Sequence, residues 1–293
     1  MKFGLTHGNM GRTSSPALAR EMAIAAEAAG FDSLWSTDHA IIPTTYEHIY
    51  PETSDGQFPF PVDHPLADPF PWLTWVAAVT ERVKIGTAIC VLPQRNVVVT
   101  AKETATVDHL SGGRLILGIG AGWLREEFQA VGADFETRGK RLREAIPALR
   151  ALWTGEPATY HSDTINFDGI ICQPTPAKGS IPIHLGGFSE LAARRAGRVG
   201  DGFFPGGYGD LDRLSQLVNL ARDTAMDAGR PREALEVTTR WSRDPSQLDI
   251  DLVRRLEALG VDRVTVPVHI FDIDKLSDEI AAFGEKYIQS YQN

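Results

Sequence analysis

Residues 2–42 read KFGLTHGNMGRTSSPALAREMAIAAEAAGFDSLWSTDHAII. A short apolar run, residues 2–5, is followed by Ser14-Ser15-Pro16, a helix start with a serine cap and a proline in its first turn. Leu18, Met22, Ala25, Ala26 and Ala29 then recur at helical spacing, Gly30 stops the helix, and Leu34-Trp35 opens a second apolar run. Strand, helix, strand is the unit of an alternating β/α chain.

The alternation continues to the end of the chain. Strand-like runs fall at 83–88, 115–118, 182–185, 201–204, 235–239 and 263–266, and with the first two they make eight. Helical patterns lie between them at 97–110, 138–153, 189–199, 211–228 and 251–259, and a last one at 277–288. Eight alternations in 293 residues predict an α/β fold, a (β/α)8 TIM barrel, as a single domain over residues 1–293. A doubly wound sheet is the second choice.

Two segments break the rhythm and are expected as insertions, one after strand 2 and one between strands 4 and 5. Residues 43–71 hold seven prolines together with Tyr46, Tyr50, Phe58, Phe60 and Phe70, a composition that predicts a functional lid. Residues 155–180 suggest a short hairpin around Tyr160-His161 and Ile165-Asn166.

Composition narrows the function. A net charge of −9 argues against a nucleic-acid backbone as partner. No apolar run approaches the ~18 residues of a membrane span, and the first residues lack a signal-peptide pattern, so a cytoplasmic protein with no membrane partner is expected. Cys90 and Cys172 are the only cysteines and are read as free thiols. The histidines are scattered without metal-ligand spacing, so no metal is expected. No lysine falls near the carboxyl end of a strand, which disfavours Schiff-base chemistry.

In a barrel the chemistry sits at the carboxyl ends of the strands. Asp38 and His39 leave strand 2 there, and His7 leaves strand 1 beside them. Two glycine clusters, Gly118-Ile119-Gly120-Ala121-Gly122-Trp123 after strand 4 and Gly186-Gly187 after strand 5, form strand-to-helix turns where backbone N–H groups can approach a phosphate or a flat ring. Either cluster alone reads equally as a tight turn, and Trp123 stands where a dinucleotide fingerprint needs its third glycine. Basic residues crowd Arg194, Arg195 and Arg198, whose plainer reading is a solvated helix face.

Asp38-His39, GTAICVLPQRN (86–96), DHLSGGRLILGIGAGWLREEF (108–128) and HLGGFSELAARRAGRVGDGFFP (184–205) together resemble the bacterial luciferase-like superfamily, and within it the group using the deazaflavin coenzyme F420. The resemblance runs from Lys2 to about Thr239. It implies an oxidoreductase with coenzyme F420, or alternatively FMN, at the carboxyl rim, and a non-prolyl cis peptide at Ala88-Ile89 behind the ring. It implies Asp38, Gly120, Gly186 and Gly187 as further cofactor contacts, His39 as the catalytic residue beside the hydride-transfer centre, and His7 and Trp123 in the substrate pocket. Arg194, Arg195 and Arg198 could then meet the cofactor's acidic tail. A homodimer follows from the same resemblance, and a flavin reductase partner only if FMN is used. Trp123 stands where the sugar-phosphate dehydrogenase branch carries a catalytic glutamate, which argues against a sugar phosphate as substrate. The expected reaction is hydride transfer between deazaflavin C5 and a small organic substrate. FMN would instead imply a monooxygenase using reduced flavin and O2.

Overall fold

The computed structural model describes residues 1–50, 53, 55–206, 210–240 and 249–292. Pro51, in the expected lid, lies outside the described residues. Eight parallel strands close on one another: β1 (Lys2–Thr6), β2 (Ser33–Ser36), β3 (Lys84–Thr87), β4 (Leu115–Gly120), β5 (Ile183–Gly186), β6 (Gly202–Phe204), β7 (Glu236–Arg240) and β8 (Arg263–Pro267). Closure is made by β8 against β1, with Lys2 opposite Arg263 and Thr6 opposite Pro267. This is the (β/α)8 barrel, and each of the eight expected strand positions carries a barrel strand.

The strands are buried nearly throughout, their polar residues Ser33, Thr238, Arg263 and Thr265 included. Trp35 fills the barrel interior and donates from Nε1 to Ser33 Oγ at 2.8 Å. It has room because β1 and β3 carry glycine beside it: a Cβ on Gly4 or Gly86 would come within 2.8 Å or 2.7 Å of the indole. At the amino-terminal end of the barrel, buried Arg263 ion-pairs with Asp32 at 2.7 Å and Glu236 at 3.0 Å.

Outside the barrel lie α1 (Pro16–Ala28), α2 (Pro69–Ala78), α3 (Val97–Leu110), the short α4 (Arg125–Ala130), α5 (Arg138–Leu152), α6 (Glu190–Val199), α7 (Leu211–Asp227), α8 (Ile250–Ala258) and α9 (Leu276–Phe283). The α2 helix corrects the expected lid. The lid stops at Asp68, and Pro69 and Pro71 belong to the first turn of a helix, where their missing N–H groups cost nothing. Asp68 caps that turn by accepting from Phe70 N at 3.1 Å. The second insertion contains the expected hairpin, Ala158–His161 paired antiparallel with Asn166–Ile170. Cys90 and Cys172 are free and buried. Among the described residues no helix is long and apolar enough to cross a membrane.

Candidate functional site

At the carboxyl ends of the strands lies a cavity of about 520 Å³. Its base is the loop after β3, where the Ala88–Ile89 peptide is cis. The strand then resumes as Cys90–Val91, alongside Ile119 and Gly120 of β4. Ala88, Ile89, Gly120, Gly186, Gly187 and Trp123 all line the cavity. The glycines also serve Ile89: a Cβ on Gly120 would lie 2.2 Å from Ile89 Cδ1, and one on Gly186 would lie 2.7 Å from Cγ2. These turns thus open the cavity and seat the side chain at its base in one arrangement.

Charge at the wall is cationic. Arg138, Arg195 and Arg240 reach the cavity, with Glu136 as the acidic group among its lining residues. Arg138 lies 3.6 Å from the Phe135 ring centroid and donates to Phe135 O at 2.8 Å. Burial, with Arg143 nearby, pulls the Arg195 guanidinium below its usual range. The α6 helix begins at the same wall, and its cap Ser189 accepts from Ala192 N at 3.2 Å. Arg194 and Arg198 are exposed on the outer face of α6, which matches the plainer reading for those two.

Asp38 and His39 part company. The Asp38 carboxylate is buried and turned to the β3 loop: Oδ2 accepts from Val91 N at 2.9 Å and Arg95 Nε at 3.2 Å, and Oδ1 accepts from Arg95 Nη2 at 2.7 Å. It is not among the residues lining the cavity, and it does not pair with His39. The carboxylate expected as a cofactor contact is thus taken up by Val91 and Arg95. Its bonds to Val91 and Arg95 instead anchor the segment that follows the cis peptide.

His39 pairs with Glu127 on α4, Nδ1 to Oε2 at 3.0 Å, while Glu127 Oε1 accepts from Ala40 N at 2.5 Å. Both side chains are buried, 7% and 1% exposed. Sequence reading passed over Glu127. The signal was present, because Leu124, Glu127 and Phe128 share one helical face and all three are buried. A carboxylate in phase with apolar neighbours needs a partner.

His7 stands one residue back from the cavity. It adopts φ 63°, stacks on His269 with centroids 5.8 Å apart, and accepts at Nε2 from Arg240 Nη1 at 2.7 Å. Arg240, unremarked in the sequence, is the group that presents this corner to the cavity. Trp123 does line it, edge-on to Tyr50 at 5.1 Å, Tyr46 at 5.7 Å and His39 at 6.2 Å. The lid is docked by these rings. Phe58 meets His39 at 5.3 Å, Glu47 N donates to Glu126 at 2.9 Å, and buried Asn9 ties the lid's far end to strand 2 by donating to Ala67 O at 2.6 Å and Thr37 O at 2.8 Å.

The family model for luciferase-like monooxygenases matches residues 1–242. The chain belongs to that family. An uncharacterized protein of Mycobacterium tuberculosis is 33% identical over 248 residues, covering 84% of this chain and 83% of that protein. The F420-dependent glucose-6-phosphate dehydrogenase of Kineococcus radiotolerans is 31% identical over 242 residues, 80% of this chain and 66% of that enzyme. Among solved structures, an F420-dependent secondary alcohol dehydrogenase in complex with an F420-acetone adduct superposes with a TM-score of 0.78 at 19% identity, covering 100% of this chain and 99% of that one. That likeness is one of fold. The chain is an enzyme of an oxidoreductase family.

Proposed function

We propose that this luciferase-like enzyme is an F420-dependent oxidoreductase, transferring a hydride between deazaflavin C5 and a small organic substrate held under the lid. The observation that carries the reading is the cavity: an apolar base at Ala88 and Ile89 faces Trp123 and Phe204, with Arg138 and Arg195 at its wall. A flat ring with an anionic tail fits that division of apolar and cationic surface. Arg195 supports it most directly, since burial weakens its hold on its proton and an anion would restore it. The curated F420-dependent relative, 31% identical, points the same way.

The bound deazaflavin would accept or supply the hydride. The chain's own residues would do the rest. Ala88, Ile89 and the glycine turns would seat the ring, and Arg138, Arg195 and the amino terminus of α6 would hold the tail. The aromatic lid would keep water from the transfer. His39 would take or give the substrate's proton, as imidazoles do near neutral pH. Its ring meets Trp123 in a T-shaped contact, so the substrate is expected beside that indole.

Anaerobic fluorescence titration of the purified protein with F420 and, separately, FMN tests the reading. Tighter binding of F420 supports it. Tighter binding of FMN would replace it with a monooxygenase using reduced flavin, O2 and a flavin reductase partner. His39→Ala is expected to lower turnover ~10²-fold or more with F420 affinity unchanged. A homodimer and a cytoplasmic location form part of the proposal, and light scattering in solution tests the first.

A further inference from the structure

Among the described residues the buried carboxylate that meets His39 is Glu127. We infer that Glu127 is a positioning residue: it holds His39 with the proton on Nδ1 and leaves Nε2 as the nitrogen that exchanges a proton with substrate. This deepens the proposed role of His39 and rests on that reading.

Geometry fixes the direction of the hydrogen bond. Glu127 Oε1 accepts from the Ala40 backbone N–H, and Oε2 lies 3.0 Å from His39 Nδ1. A carboxylate that already accepts one N–H presents an acceptor on its second oxygen, so Nδ1 must bring the proton. In the neutral ring the lone pair is then on Nε2. The two bonds grip adjacent residues, His39 by its side chain and Ala40 by its backbone, so the carboxylate sets both the ring's orientation and the turn that carries it. Neither Glu127, 1% exposed, nor His39 is among the cavity-lining residues, but His39 meets the lining residue Trp123, so Glu127 acts through the histidine rather than on a ligand. With the deazaflavin supplying the hydride acceptor, Nε2 would take the proton released by an oxidised hydroxyl of the substrate. In the reverse direction Nε2 returns that proton to the forming hydroxyl. Glu127 would remain the Nδ1 acceptor in both directions.

A spectroscopic test needs no substrate. Long-range proton–nitrogen correlation on isotope-labelled, cofactor-free protein at alkaline pH reads the His39 tautomer directly. The wild type is expected to show Nδ1 protonated and Nε2 bare. In Glu127→Gln the amide oxygen can keep the Ala40 contact while the amide NH2 faces Nδ1, so the ring is expected to switch to the Nε2–H tautomer. Should that variant not fold, Glu127→Asp is read instead. Its shorter side chain is expected to give a mixture of both tautomers. A wild-type ring protonated at Nε2, or one unchanged tautomer in wild type and variant, overturns the inference. The F420 titration is separate: failure to bind F420 with the Nδ1–H tautomer present sinks the proposed cofactor and leaves the positioning role standing.

Discussion

Asp38 and His39, adjacent in sequence, serve different parts of the molecule: Asp38 binds the segment after β3 and His39 binds α4. Asp38 is 3% exposed and meets Arg95 with both oxygens. Burial disfavours the Arg95 cation, but the Asp38 charge outweighs it and raises the guanidinium well above its usual range. Removing one member of a buried pair leaves the other uncompensated, so Asp38→Asn is expected to destabilise the fold by about 3 kcal/mol. Urea unfolding measures it, and an unchanged midpoint would mean that Arg95 finds Asp68 sufficient. Crowding around Gly120 predicts a different failure. In Gly120→Ala the new Cβ displaces Ile89 from the cavity base, with stability loss expected to be small and cofactor affinity falling at least about tenfold, roughly 1.4 kcal/mol. Equal affinity in titration would show that Ile89 has somewhere else to go.

The elements around the site are held by bonds made at their ends. Asp68 both caps α2 and accepts from Arg95 Nη2 at 3.1 Å, so the foot of the lid is joined to the loop after β3. Asp68→Ala is expected to cost about 1 kcal/mol as a lost cap. The lid itself is held by edge-on rings, with Phe58 touching His39, Tyr50 and Phe60. Phe58→Ala should therefore loosen the lid without unfolding the barrel. Limited proteolysis is expected to cut within residues 43–68 several-fold faster, with the thermal midpoint nearly unchanged. A cut elsewhere, or no change in rate, would mean that the lid is held by its backbone contacts alone.

At the scale of the whole barrel, the amino-terminal end carries a buried polar cluster that makes stability depend on pH. Burial lowers the His184 pKa to about 4, against a smaller opposing pull from Glu236, so the 3.6 Å approach of these two is not an ion pair at neutral pH. The unfolded chain protonates this histidine near 6.5, so it binds more protons than the folded chain between about 6.5 and 4. Stability is present in full above that window and falls by up to about 3 kcal/mol as pH drops through it. Burial works to raise Glu236, but Arg263, Lys2 and His184 outweigh it and bring the carboxyl down to about 2. Its contribution is full above the usual 4.5 and is lost as pH falls toward 2. Thermal midpoints are expected to decline from pH 6.5 downward, and His184→Gln is expected to flatten the first part of that decline. A wild-type profile flat between pH 6.5 and 4 would contradict the assignment.

The eight strands, the start of α1 at Pro16 and its stop at Gly30, the lid and the hairpin could be read from residue patterns. A buried strand and a helix end leave local signatures, although the Ser15 side chain makes no capping hydrogen bond. The α2 helix could not, since its prolines mark a turn as well as a first helical turn, and burial against the barrel decides which. Ala88, Ile89, the glycines and Trp123 were recognisable at the rim. The separation of Asp38 from His39, the use of Arg240 in front of His7, and the Glu127 pair were decided only by tertiary structure. Which side chain meets which across the rim depends on the turning of loops separated by dozens of residues, and a buried charge takes whichever partner the folded chain brings within hydrogen-bonding distance.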